Sequence, residues 1–282
     1  MSKLNSRARV LAGAGSAVLA FAGLIAPSSA QFAEQTSPAN FSGNGWINEG
    51  TFNGGGLVAM PGQPYFKQDS RYPHVPNNRG RQPTYWIADL ASNPNVKPWA
   101  KEVMKKDNEE VLNGKIAYTA RSSCDPGGVP GYDQFGFQPH FFLQEKNKVT
   151  LVFAGDQQVR HVYLNVPHSL NPKPSWYGES VGHYEGDTLV VDTIGLKAGT
   201  HIDNFRTPHT DKLHVIERWR IIEADSILEV TFTVDDPDTF EKPWSAKQRF
   251  RRVTTPYTEE VCIEGNLVLH QWQLHIANKS DF

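Results

Sequence analysis

The residues best suited to acid–base chemistry are concentrated in the middle of the chain. Six of its ten histidines fall between positions 161 and 214, together with several carboxylates. The imidazole group titrates near neutral pH, so it can accept a proton, donate one or bind a metal ion. The residues that we single out as catalytic candidates are His161, Tyr163, His183, Asp192, His201, Asp203, His209 and Glu217.

The alternation of side chains along a strand predicts which way four of these residues point. His161 and Tyr163 share one face of their predicted strand, so both can point inward at a bound molecule. Glu217 lies on the same face as Trp219, and we expect it to point inward beside that ring. Asp192 lies in an otherwise apolar strand, where a buried carboxylate without a partner costs free energy. We therefore expect Asp192 to pair with a histidine or an arginine.

His201, Asp203 and His209 fall in a predicted loop, and loops at the mouths of barrels commonly carry function. Three histidines and a carboxylate would suit zinc or iron, but the spacings here are irregular. The sequence also lacks the H-E-x-x-H, G-x-S-x-G, P-loop and G-x-G-x-x-G motifs. The sequence therefore predicts neither a metal ion nor a cofactor.

The elements that must position these residues are mainly strands. Seven segments are rich in β-branched and apolar residues or alternate between apolar and polar side chains. They are residues 149–153, 159–164, 181–184, 188–194, 214–222, 228–234 and 247–253. The best helical pattern runs from Pro98 to Leu112, with a proline in its first turn. No helix is placed to cross between parallel strands. We therefore predict a mainly β fold, with one or two short helices, built as an antiparallel lipocalin-like barrel or as a sandwich.

The first 30 residues have the three parts of a secretory signal peptide. A basic start is followed by the uncharged run Val10–Ile25 and by small residues up to Ala30. The alternative is a membrane anchor, but the run is short for a span of about 20 residues. Residues 31–96, rich in Gly, Asn and Pro, are interpreted as an extended arm, and residues 97–282 as the β-rich domain. We expect a periplasmic or secreted protein with no membrane segment after cleavage.

The cysteine count predicts a disulfide, and the charge argues against binding to nucleic acid. Cys124 and Cys262 are the two cysteines, and in an oxidising compartment they are expected to form one disulfide. The alternative is a pair of buried free thiols. The formal net charge is −2 and no basic stripe is present, so nucleic acid is not expected as a partner.

One long motif resembles the signature of a large family of exported bacterial proteins of unknown function. It is S-W-Y-G-E-S-V-G-H-Y-E-G-D-T-L-V-V-D-T, residues 175–193, and shorter similar pieces are residues 124–130, 159–164, 213–218 and 235–244. The family tends to have His-Glu-Gly-Asn after its second cysteine, where this chain has Ile263-Glu264-Gly265-Asn266. The resemblance implies export and a single β-rich domain, and it implies no particular reaction.

These observations favour a cofactor-independent lyase or isomerase acting on a small aromatic or polycyclic molecule in a barrel cavity. Histidine would be the general base, Asp192 would orient it, and Tyr163 or a second histidine would donate the proton. The first alternative is a non-catalytic periplasmic protein that binds a small molecule, of the lipocalin type. The second is a metal-dependent hydrolase. The enzymatic hypothesis requires the imidazole and carboxyl groups to meet in one pocket.

Overall fold

A computed structural model describes residues 39–49, 56–73, 86–134, 138–155, 158–257, 259, 261–265 and 276–277. They belong to one compact unit, Gln35–Phe282. The predicted signal segment, residues 1–30, lies outside the described residues. Among the described helices, none is both long and apolar enough to cross a membrane.

The described elements are strands with a few helices. In chain order the strands are β1 (Trp46–Asn48), β2 (Val58–Ala59), β3 (Lys67–Gln68), β4 (Ala88–Asp89), β5 (Ile116–Ala117), β6 (His140–Gln144), β7 (Lys148–Phe153), β8 (Gln158–Leu164), β9 (Glu179–Glu185), β10 (Thr188–Ile194), β11 (His214–Ile222), β12 (Ile227–Asp235), β13 (Trp244–Arg252) and β14 (Ile276–Ala277). The helices are α1 (Pro98–Leu112), α2 (Ala120–Ser123) and α3 (Cys262–Gly265), with a 3₁₀ turn at Gly131–Gln134.

Nine of these strands form a closed barrel. Their order is β1-β6-β7-β8-β9-β10-β11-β12-β13, and β1 closes the ring by pairing with β13. The barrel, rather than the sandwich, is therefore confirmed, as are the seven predicted strands. Only β1 and β6 among the barrel strands were not predicted.

One pair of barrel strands departs from the antiparallel expectation. β8 and β9 run parallel and pair over three positions, from Val162 with Ser180 to Leu164 with Gly182. Residues 165–178 cross from the end of β8 to the start of β9 without forming a helix. The short pairing leaves a gap on this side of the barrel, where the first half of β8 has no neighbouring strand.

Alternation along the strands fills the barrel interior with large apolar side chains. In β12, Leu228, Val230 and Phe232 are fully buried, while Glu229 and Thr231 between them are half-buried. Trp219 of β11 packs against Phe142 and Phe250, with ring centroids 5.4 and 5.7 Å apart. Full burial of each such side chain stabilises the fold by about 1.5–3 kcal/mol.

The helix α1 has the bounds that the sequence predicted. Pro98 occupies its first turn, where the absent N–H is not needed. The helix ends before Gly114, whose φ of +94° is unfavourable for any side chain with a Cβ. Two buried side chains of α1 receive hydrogen bonds from Arg206: its Nε donates to Asp107, and its Nη2 donates to Asn108 Oδ1 at 2.7 Å.

The segment that the sequence analysis interpreted as an arm contributes directly to the barrel. β1 is one of the barrel strands, β2 extends the sheet beyond β13, and β3 pairs with β4. Phe41, Leu57 and Phe66 of this segment are buried. Phe52, another aromatic residue of the segment, lies outside the described residues.

The predicted disulfide is present. Cys124 and Cys262 are bonded, with their Cα atoms 5.6 Å apart. Cys124 directly follows α2 and Cys262 begins α3, so the bond joins the C-terminal part of the chain to the segment that precedes the 3₁₀ turn.

Candidate functional site

The structure does not bring the eight predicted residues into one pocket. His161, Tyr163, His183 and Asp192 are on the outer face of the barrel, and Glu217 is inside it. The remaining three, His201, Asp203 and His209, are in the loop between β10 and β11. The expectation that His161 and Tyr163 point inward is incorrect, because Arg160, Val162 and Leu164 occupy the inner face of β8.

Inside the barrel, Glu217 forms an ion pair with Arg160. Arg160 Nη1 donates to Glu217 Oε1 at 3.0 Å, and Nη2 donates to Oε2, so the pair is bidentate. The two residues are 3% and 0% exposed. A buried ion pair of this kind offsets its desolvation cost only when its remaining hydrogen-bonding groups also have partners.

Three hydroxyl groups supply those partners. Arg160 donates to Ser180 Oγ at 3.1 Å, to the Tyr132 hydroxyl at 3.1 Å and to Thr193 Oγ1 at 2.8 Å. With the two bonds to Glu217, these contacts use the five N–H groups of the guanidinium. Burial alone would lower the pKa of Arg160, but the Glu217 charge and hydrogen bonds raise it above its ordinary value. The guanidinium is therefore a fixed positive charge.

Beside this network lies a buried carboxyl–imidazole pair. Asp133 is on the 3₁₀ turn and His140 begins β6, and their side chains are 0% and 1% exposed. His140 Nε2 is 3.5 Å from Asp133 Oδ1. Within the described residues, both oxygens of Asp133 and both ring nitrogens of His140 lack a partner with hydrogen-bond geometry.

The turn that carries Asp133 packs closely against the loop that follows β10. A Cβ added at Gly131 would lie 2.4 Å from the main-chain oxygen of His201, so no larger residue fits. The Tyr132 ring, next along the turn, reaches His140 at a centroid distance of 5.2 Å. His140 also contacts the Phe153 ring at 5.0 Å. These contacts hold the imidazole in an aromatic surround.

Burial determines the charge state of the pair. It raises the pKa of Asp133 well above its usual range, and the nearby Glu217 charge adds to this effect while Arg160 opposes it. Burial also lowers the pKa of His140 to about 3, with a smaller opposing effect from the main chain of Trp46. At neutral pH the imidazole is therefore neutral, and the raised pKa of Asp133 favours the neutral carboxylic acid beside it. This is the protonation state that a proton donor and a proton acceptor need.

A third polar group faces the interior without a partner. Trp219 Nε1 is buried and makes no hydrogen bond within the described residues. Most buried polar atoms in native proteins are hydrogen-bonded to protein or to ordered water. The unpartnered atoms of Asp133, His140 and Trp219 are therefore the interior groups to which an ordered water or a polar ligand would hydrogen-bond.

Sequence reasoning missed the interior residues for identifiable reasons. His140 begins a strand that was not predicted, and Asp133 is in a turn that has no periodic pattern. Arg160 had a usable signal, since it shares a strand face with the apolar residues Val162 and Leu164. An arginine on the apolar face of a strand indicates a buried, paired guanidinium.

Two of the predicted loop residues, Asp203 and His209, have hydrogen-bond partners within the loop. His209 Nδ1 donates to the Thr210 carbonyl oxygen at 2.7 Å, so Nε2 can accept from the Thr200 hydroxyl, also at 2.7 Å. Asp203 accepts from the main-chain N–H of Thr207 at 3.1 Å and from its hydroxyl. Burial raises the pKa of Asp203 to about 6 and lowers that of His209. The His201 ring packs on Tyr118 at 5.6 Å.

Asp192 has the histidine partners that we expected, but they are on the outer face of the barrel. His168 Nε2 lies 3.0 Å and His214 Nε2 lies 2.8 Å from Asp192 Oδ1. His168 Nδ1 also approaches Glu179 Oε1 at 3.0 Å. These contacts fasten the 165–178 crossover to the barrel wall. The exposed His183 contacts Glu185 at 3.1 Å on the same side.

His161 and Tyr163 line an outer cleft with a volume of about 600 Å³. Arg160 and Tyr177 line it as well. The Tyr177 ring also contacts Tyr132 inside the barrel, at a centroid distance of 5.5 Å. Two of the predicted catalytic residues are therefore on the outer side of the wall whose inner surface carries the Arg160–Glu217 pair.

The buried His140 makes the stability of the protein depend on pH. In the unfolded chain its pKa is near 6.5, and in the folded protein it is about 3. The contribution of neutral His140 is therefore fully present above about pH 6.5 and is lost as pH falls toward 3, by about 1.4 kcal/mol per pH unit. Urea unfolding of wild type and His140→Phe between pH 4 and 7 should show their stability difference changing with this slope. A pH-independent difference would mean that folded His140 is already protonated.

The described residues contain no group of three or more His, Cys, Asp or Glu side chains placed to hold a metal ion. The alternative of a metal-dependent hydrolase therefore has no donor set among the described residues. Comparison of the chain with models of protein families, with curated proteins and with solved structures gives no match.

Proposed function

We propose that the protein is a cofactor-independent lyase or isomerase that works by acid–base chemistry inside the barrel. The observation that supports this most strongly is the buried Asp133–His140 pair: His140 Nε2 lies 3.5 Å from Asp133 Oδ1, and burial raises the pKa of the carboxyl and lowers that of the imidazole. The reaction class is the one favoured by the sequence, but the residues that we assign to it are different.

In this proposal His140 removes a proton from a carbon atom of the substrate, and its imidazole becomes positively charged. Asp133 gives its proton to an oxygen of the substrate, either a carbonyl oxygen or a leaving hydroxyl group. For an isomerase, the proton held by His140 then returns to a different carbon, and Asp133 recovers its proton from the substrate oxygen. For a lyase, the hydroxyl leaves as water and solvent exchange restores the two groups. Protons and charge balance in both cases.

The fixed charge of Arg160 has an electrostatic role in this scheme. The guanidinium is oriented by Glu217 and three hydroxyls, which use its five N–H groups, so it acts on a substrate oxygen through its charge and not through a direct hydrogen bond. Preorganised positive charge in a dry site is a large contributor to catalysis. The Tyr132 hydroxyl accepts from Arg160 at 3.1 Å, and its interaction with Asp133 opposes part of the rise in the pKa of that carboxyl.

The aromatic surround of His140 favours a ring-containing substrate. Tyr132, Phe153 and Phe250 place their rings 5.2, 5.0 and 5.2 Å from the imidazole. Edge and face contacts with such rings stabilise aromatic ligands. We therefore keep a small aromatic or polycyclic molecule as the substrate class.

Deuterium exchange tests the proposal without knowledge of the substrate, because every such reaction removes a proton from carbon. The protein would be incubated in D₂O with pools of small aromatic ketones, aldehydes and hydroxy acids, and deuterium uptake followed by mass spectrometry. We expect uptake at one carbon of at least one compound. His140→Phe and Asp133→Asn should each lower its rate by about 10²-fold or more.

His183→Gln is the matched control, because this histidine is about half exposed on the outer wall, away from the pair. It should exchange at the wild-type rate. Wild-type rates in the His140 and Asp133 variants, or no uptake from any pool, would contradict the proposal. Deuterium uptake that His183→Gln lowers and the two interior variants do not would place the catalytic site on the outer face of the barrel.

The localisation inferred from the first 30 residues remains part of the proposal. The disulfide supports it, since such bonds form in the periplasm or outside the cell and are rare in the cytosol. The alternative of a non-catalytic binding protein is favoured by the outer cleft, which has the volume of a ligand pocket and is lined by aromatic rings.

A further inference from the structure

The outer cleft lies at the gap left by the short pairing of β8 with β9. Val162 is the first residue of β8 paired with β9, so the segment from Gln158 to His161 faces the crossover instead of a strand. Residues 173–178 of the crossover form the opposite side of the cleft. Its volume of about 600 Å³ lies within the range of sites for small organic ligands.

Aromatic rings line the cleft from both sides. His161 and Tyr163 project from the outer face of β8, with their ring centroids 6.3 Å apart. Trp176 and Tyr177 project from the crossover. Tyr163 is 49% exposed, so its ring is accessible to a ligand in the cleft. The Lys197 ammonium lies 4.8 Å from the Trp176 ring centroid and helps to position that ring.

The cleft lining also contains a lysine. Lys173 is exposed and makes no hydrogen bond or ion pair within the described residues. The other charged groups of the lining are Arg160, which pairs with Glu217, and Glu179, which accepts from Ser169 and lies 3.0 Å from His168 Nδ1. A ligand carboxylate is a group that the Lys173 ammonium can bind directly.

We propose that the cleft binds an aromatic carboxylate. The ring would lie among Tyr163, Trp176 and Tyr177, and the carboxylate would pair with Lys173. Aromatic stacking and a charge-assisted hydrogen bond then act on the two ends of one molecule. This inference does not depend on the acid–base proposal, because none of these residues is assigned a catalytic role.

Calorimetric titration of the full-length folded protein tests the inference with three probes. They are 2-naphthoate, its neutral methyl ester and cyclohexanecarboxylate. We expect saturable binding of naphthoate, and affinities about tenfold lower for the ester, which lacks the charge, and for cyclohexanecarboxylate, which lacks the flat ring. Glucuronate is a fourth probe, and tighter binding of this sugar acid would overturn the aromatic assignment.

Variants assign the binding to the cleft. Lys173→Gln should remove the preference for naphthoate over its ester, and Trp176→Ala should weaken both by about tenfold or less. Lys146→Gln, an exposed lysine in the turn between β6 and β7, is the matched control and should leave the affinity unchanged. Absence of naphthoate binding, or binding that Lys173→Gln and Trp176→Ala leave unchanged, would overturn the proposal. His140→Phe should bind naphthoate normally, so failure here is distinct from failure of the catalytic proposal.

Discussion

Replacing Arg160 by Met is expected to lower the free energy of unfolding by about 3–5 kcal/mol. The change leaves the Glu217 carboxylate 0% exposed and without its bidentate partner. A buried charge that has lost its counter-charge must either stay unsolvated or take up a proton, and both destabilise the folded state. Urea unfolding at pH 7, followed by tryptophan fluorescence and far-UV circular dichroism, measures the loss.

The double variant Arg160→Met, Glu217→Leu distinguishes the cost of leaving Glu217 unpaired from the cost of removing the Arg160 side chain. It removes both charges and keeps the volume, so it should recover most of the stability and lie within about 2 kcal/mol of wild type. Ser180 and Thr193 still bond each other, at 3.0 Å, in that variant. The matched control is Arg218→Met, whose exposed pair with Glu185 should contribute about 1 kcal/mol or less. Equal effects of the buried and exposed substitutions would show that the interior pair is solvated.

Removing the disulfide by Cys124→Ala with Cys262→Ala is expected to lower stability by about 4–5 kcal/mol. The two residues are 138 positions apart, and a cross-link over so long a loop strongly restricts the unfolded chain. Urea unfolding of oxidised wild type, reduced wild type and the double variant would give the difference.

Reduced wild type should match the double variant, and reductant should not affect the double variant. Amide hydrogen exchange would show which part of the chain loses protection first when the disulfide is absent. The bond fastens α3 to the segment after α2, so loss of protection should begin in residues 261–265 and spread later to the barrel strands. A double variant as stable as wild type would mean that the unfolded chain gains little freedom when the bond is absent.

The barrel was predictable from the sequence because seven of its nine strands are rich in β-branched and apolar residues or alternate between apolar and polar side chains. β12 alternates apolar and polar residues without a break, and α1 has a proline at its start and a glycine after its end. β1 was not predictable, since it has three residues in a segment rich in glycine and asparagine. Its strand conformation results from pairing with β6 and β13, which are distant in sequence.

The site was only partly predictable, and the error has a physical cause. For β8 we selected the inner face by its chemistry, His161 and Tyr163, whereas the buried area of Val162 and Leu164 determines which face points inward. Glu217 was correctly placed inside because its strand neighbours are apolar. The partner type of Asp192 was also correct, because a carboxylate in an apolar strand needs a positive or hydrogen-bonding neighbour. The Asp133–His140 pair depends on a turn meeting a strand, which no local pattern encodes.

The way in which β1 closes the ring has a consequence for biosynthesis. Trp46 pairs with His140 on one side and with Arg252 on the other. The pairing of an early strand therefore depends on a strand near the end of the chain. A ribosome delivers β1 first and β13 last, and the barrel cannot close until residue 252 has emerged. Until then β6 and the incomplete sheet present open edges to other nascent chains. Such long-range closure favours slow folding, which makes a holding chaperone useful to this protein during its synthesis.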